Sequence, residues 1–174
     1  LSQNAELMGD YLSRYDLPED ALAHFSVNAH ANARHNPNAL FRNRQYTAEE
    51  VMASRLIYPP LRLLDCSPVC DGAAAVLLAP LSDAKEMTDN PVEIAASSAA
   101  TDRFRIADRP YPLLLAAARD SALHALQQAV ISRSDIDFFE RHDVFSIVAC
   151  LSLDAVGFAE PGRGWELAAN DEIG

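Results

Sequence analysis

The chain contains no apolar run near the roughly 18 residues that a membrane-spanning helix needs. No signal-peptide pattern opens it either. It is short of positive charge, with 14 Lys and Arg against 25 Asp and Glu and a formal net charge of -11. A surface that acidic repels phosphate backbones and anionic lipid, which argues against nucleic-acid and membrane partners. Its basic segments, Arg42 to Arg44 and Arg103 to Arg109, are short and read as solvated loops. Their functional alternative is a small cationic patch for an anionic cofactor. Three cysteines, an odd number, argue against a disulfide framework and for a reducing compartment. Cys66 and Cys70 flank Pro68 with no second ligand pair after them, so no metal site is expected. His24 and His35 share a helix face but stand about 16 Å apart at 1.5 Å per residue, too far for one ion. There is no internal repeat and no low-complexity tract. The first residue is Leu1 rather than methionine, and the sequence stops at Gly174 with no closing element, as an interior piece of a longer protein would.

What is present suits a packed interior. Of 174 residues, 49% are hydrophobic and 22% charged, enough for one domain or part of a larger two-lobed one. Leu7, Met8, Tyr11 and Leu12 have helical spacing. Pro18 can open a second helix that turns Leu22, Phe25, Ala29 and Ala33 inward and ends near Asn36-Pro37. Thr47 and Glu50 form a capping box for a short helix carrying Val51 and Met52. After Tyr58-Pro59-Pro60 the pattern changes. Leu61 to Leu64 is a short apolar run, and Ala73 to Ala79 is continuously apolar, as a strand covered on both faces would be. Pro80 to Asn90 is a polar connection, Val92 to Ala96 another strand, and Leu113 to Val130 a helix. Ile136 to Glu140 then reads as a strand, followed by Arg141-His142-Asp143. Asp143 is placed to cap a helix carrying Val144, Ile147, Val148, Leu151 and Ala155, which Gly157 closes in the left-handed region. Strand, tight turn and helix is the layout that puts ligands at the carboxyl end of a sheet strand.

Two motifs carry a family resemblance. Asp65-Cys-Ser-Pro-Val-Cys-Asp71-Gly-Ala-Ala resembles the segment that ends the first half of thiolases. His142-Asp143-Val144-Phe145, with Leu153-Asp154-Ala155-Val156-Gly157-Phe158 after it, resembles the His-Asp-x-Phe motif of sterol-carrier-protein-type thiolases. Glu50 to Ser54 and His30 to Phe41, with its Asn36-Pro37, are similar to the same subclass. The resemblance runs along nearly the whole chain. It implies an α/β fold of duplicated α-β-α-β-α layers with mixed five-stranded sheets, only partly covered here. Residues 1–60 would be the helical loop region of the first half, 61–90 its last strands and a connection, and 91–174 the start of the second half.

The resemblance also implies roles. His142 would sit in an oxyanion hole, its ring N–H stabilising charge that develops on a thioester oxygen. Asp143 would orient that histidine or cap the helix. Ser67 would contact the pantetheine amide, and Phe145 would line or underlie the pantetheine tunnel. Coenzyme A enters as co-substrate, with no permanently bound cofactor and no metal. The activity implied is acyl transfer from a 3-oxoacyl-CoA to coenzyme A through a cysteine-bound acyl group. The family's nucleophilic cysteine and its Gly-His-Pro and Cys-x-Gly motifs have no counterpart in this sequence, so the chain alone is expected to be inactive. Two alternatives stand beside this reading. One is a retro-aldol lyase acting on 3-hydroxyacyl-CoA side chains with a small OB-fold partner. The other is a non-catalytic subunit that binds acyl-CoA. A homodimer or homotetramer is expected for the complete protein, in the cytoplasm or, in a eukaryote, the peroxisome. Cys150, inside an apolar helix, is expected to be a buried, inert thiol.

Overall fold

The computed structural model describes residues 1–173. Its centre is a helix that is buried nearly all round, α6 (Ser146–Val156), with Ile147, Ala149, Cys150, Leu151, Leu153 and Ala155 all inside. A helix apolar on every face has to be surrounded. The helices around it are α1 (Ser2–Arg14), α2 (Ala23–Ala33), α5 (Ala116–Ala129) and α7 (Gly164–Ala169). From α1 come Ala5, Leu7, Met8 and Tyr11, matching the expected apolar face. From α2 come Phe25 and, at its N-cap, Leu22. Pro18 does not open α2. The residues after it form turns, and the helix begins only at Ala23.

Local signals held where they are self-contained. Thr47 caps α3 (Ala48–Ala53) with the reciprocal Glu50 bond, and Val51 is fully buried. Gly157 ends α6 at φ 86°, where an added Cβ would stand 2.8 Å from the Arg133 guanidinium. Glycine there answers both the backbone angle and the crowding. Beyond α3, β1 (Leu56–Tyr58) and β2 (Leu61–Arg62) form an antiparallel hairpin around a cis Pro59–Pro60 bond.

The expected interior strands are not formed. Ala73 to Ala79 is unpaired, with Val76 83% and Leu77 86% exposed. Val92 to Ala96 and Ile136 to Glu140 are likewise outside any ladder. A strand covered on both faces needs neighbours on either side, and among the described residues none is supplied. The connection at 80–90 contains a short helix, α4 (Leu81–Met87), none of whose residues is buried. Asp143 is also corrected as a helix cap. Helix α6 starts at Ser146 with Phe145 at the N-cap and no side-chain cap bond, which leaves Asp143 outside it.

Candidate functional site

Two distant pieces of chain meet beside α6. Cys66 and Phe145 form an isolated antiparallel bridge, and the Ser67 N–H donates to the Val144 carbonyl at 3.0 Å. Beneath this seam lies Asp65, only 5% exposed. Its carboxylate accepts the Ser146 hydroxyl at 2.7 Å and the Arg62 N–H at 2.9 Å. Burial pushes the Asp65 carboxyl above its ordinary range, opposed by those same bonds. Helix α2 joins from the other side, where the Ser26 hydroxyl donates to the Leu64 carbonyl at 2.6 Å. The motifs around Asp65 and Asp143 are thus one local structure.

The three pieces line an open cavity of about 420 Å³. Phe25, Phe41, Leu64 and Pro68 give it apolar walls, with Arg44 and Asp143 as its charged edge. Ser67 lies on its wall and is exposed. Asp143, also exposed, lines both this cavity and an adjoining one of about 660 Å³, which shares Ala29 and Ala33 with it. Phe145 is half-buried and packs against the hydrophobic core rather than lining either space. His142 is exposed between Arg141 and Asp143 and lines neither cavity. Ser67 and Asp143 therefore share a cavity, while Phe145 contributes backbone and packing.

Several residues here were given no role by the sequence reading. His30 lines the smaller cavity, bonded through Nδ1 to the Ser26 carbonyl at 2.8 Å. Arg141 lines the larger one, with its guanidinium 5.5 Å from the Phe25 ring centre and its buried Nε lacking any partner. Burial lowers the Arg141 guanidinium from its ordinary range, offset by Asp143 and Glu140 nearby. On the far side of α6 lies a second buried polar group. The Tyr11 hydroxyl donates to Asp154 at 3.0 Å and lies 3.2 Å from the Cys150 thiol, which donates to it. Asp154 also accepts the Gly162 and Gly164 N–H groups, each at 2.8 Å. Burial raises Asp154, Tyr11 and Cys150 together. Cys150 is fully buried, as expected of an inert thiol. Among the described residues, no group of three His, Cys, Asp or Glu could hold a metal ion. Nor is any described helix long and apolar enough to cross a membrane.

The family model for the thiolase C-terminal domain-like family matches residues 83–174. The chain belongs to the thiolase superfamily. Among curated proteins it is similar to an acetyl-CoA acetyltransferase of Methanothermobacter thermautotrophicus, 42% identical over 154 residues. That match covers 88% of this chain and 40% of the relative. It is also similar to sterol carrier protein 2 of Oryctolagus cuniculus, 29% identical over 163 residues, covering 91% of this chain and 30% of that protein. A solved structure titled Ltp2-ChsH2(DUF35) aldolase superposes with a TM-score of 0.85 over 97% of this chain and 45% of that one. At 22% identity, that likeness speaks to the fold. The fold is therefore a partial thiolase-like one, and the chain spans about two-fifths of the thiolase relative's length.

Proposed function

We propose that the protein is a thiolase-type acyltransferase, exchanging the acyl group of a 3-oxoacyl-CoA with coenzyme A in the cleaving or the condensing direction. The observation that carries the reading is the seam. It sets the Ser67 loop against the Asp143–Phe145 segment, and Ser67 and Asp143 both line one largely apolar cavity. The relatives named acetyl-CoA acetyltransferase and sterol carrier protein 2 support the same class. In this reading the thioester's carbon chain lies along the apolar walls and Ser67 meets an amide of its arm. His142 donates a ring N–H to the thioester oxygen as negative charge develops there, a contact of the kind commonly worth about 3–4 kcal/mol. Asp143 stands next in the chain as the orienting carboxylate. The working protein is a homodimer or homotetramer, with coenzyme A as a co-substrate and no resident metal.

The test is a paired assay on the protein its gene encodes. One arm supplies a 3-oxoacyl-CoA with coenzyme A, the other a 3-hydroxyacyl-CoA alone. Thiolysis in the first arm, reduced about 100-fold or more by His142→Ala with little change in substrate affinity, is the expected result. Cleavage only in the second arm would replace the acyltransferase by a retro-aldol lyase. Binding without turnover in both would leave a non-catalytic acyl-CoA subunit.

A further inference from the structure

The smaller cavity contains a histidine whose surroundings have fixed nearly everything about it. His30 lies on α2, and its Nδ1 is 2.8 Å from the Ser26 carbonyl oxygen. A carbonyl can only accept, so Nδ1 carries the proton. Ser26 is itself pinned to the Leu64 carbonyl, so the fixed end of the imidazole is tied to the chain just before Asp65-Cys66-Ser67. Tyr46 meets the ring edge-on with centroids 4.8 Å apart, and Phe41 lies nearly parallel to it at 6.0 Å. Phe41 is in turn covered by the Arg44 guanidinium at 5.6 Å. The His30 carbonyl accepts the Gln45 side chain at 2.8 Å, which closes the 41–46 loop over the helix. In the neutral ring Nε2 is then a bare acceptor, and it makes no hydrogen bond with any described residue.

We propose that His30 is a ligand-binding residue, its Nε2 accepting a hydrogen bond from an amide N–H in the arm of the bound thioester. The inference rests on the acyl-CoA reading and assigns one side chain to it. The chemistry favours an amide donor because the exposed surface of the cavity is mostly apolar, while Asp65, Ser146 and Ser26 on its lining are already bonded to other residues. Such a space takes a chain whose apolar stretches alternate with single polar units, which describes the pantetheine arm. Ser67 and His30 then serve as two separate contacts on one wall system. The ring's fixed tautomer means that this acceptor is set before the ligand arrives, so little freedom is lost on binding.

The experiment titrates S-acetylpantetheine, and two analogues in which each amide N–H in turn is replaced by an ester oxygen, into the gene-encoded protein and its His30→Leu variant. The expected result is a loss of about five- to tenfold in affinity for the parent on His30→Leu. One ester analogue should bind wild type and variant equally, because it has already lost the donor. Equal weakening of all three ligands would make His30 a packing residue and overturn the inference while leaving the acyl-CoA reading intact. A wild type that binds none of the three would overturn both. A second measurement needs no variant. In nitrogen-15-labelled wild type the Nε2 resonance should read as unprotonated and shift with the parent ligand, and a protonated Nε2 that the ligand leaves unchanged would refute the assignment.

Discussion

At the scale of single residues, the buried carboxylates decide how the protein responds to acid. Asp65 is raised above its ordinary 3.8 mainly by burial. From 3.8 up to that raised value the folded chain holds a proton that the unfolded chain has released. By linkage, stability then falls as pH rises through the window and stays lower above it. Asp154 shifts the same way for the same first cause. Asp65→Asn can keep both partners, its oxygen taking the Arg62 N–H and its amide donating to the Ser146 hydroxyl. That variant should unfold within about 1 kcal/mol of wild type at neutral pH. Its stability should also change less with pH above 3.8 than that of wild type, which thermal unfolding at successive pH values would show. Asp65→Ala, which strands both donors in a buried place, should cost about 2–4 kcal/mol. None of this was legible in the sequence. In the sequence Asp65 only opens a family-like motif, and its partner Ser146 is 81 positions away.

At the scale of elements, what could be read depended on whether an element carries its own reasons. Helix α3 was legible because Thr47 and Glu50 bond each other across three residues. The end of α6 was legible because a glycine is needed at its left-handed closing position. The start of α6 misled. Asp143 is a good capping residue by type, but the Cys66–Phe145 bridge holds the chain extended until Phe145, and the helix waits for Ser146. The apolar runs at 73–79 and 92–96 misled for the opposite reason, since a covered strand needs neighbours that the described residues do not supply. Helix α5 ends on a residue no rule would choose, Val130 at φ 57° and exposed. A β-branched side chain is strained in that region. Val130→Gly should therefore stabilise the protein by up to about 1 kcal/mol, visible as a raised denaturant midpoint with an unchanged slope. A fall in the midpoint would show that Val130 is supported by something other than its backbone.

At the scale of the whole molecule, the site was half legible. The motifs gave Ser67, His142, Asp143 and Phe145, and folding brings the first and third to one cavity. No role for His30 or Arg141 could be read, because their importance comes from what surrounds them, a carbonyl, two aromatic rings and an orphaned Nε. The exposed run around Val76 and Leu77 is an unpaired apolar segment, the sort of surface that associates with another chain. The 174-residue chain expressed alone should self-associate as its concentration rises, and Val76→Lys with Leu78→Lys should suppress this in light scattering. Unchanged self-association in that double variant would move the sticky surface elsewhere. The seam has one more effect. Because Asp65 and Ser146 hold together two points 81 positions apart, the polypeptide between them is a closed ring tethered at its neck. The entropy of closing a ring grows only with the logarithm of its length, about 0.6 kcal/mol for a doubling. The polar connection at 80–90, whose helix has no buried residue, is thus where the chain can lengthen or shorten between descendants at little cost, while the neck keeps the cavity's shape.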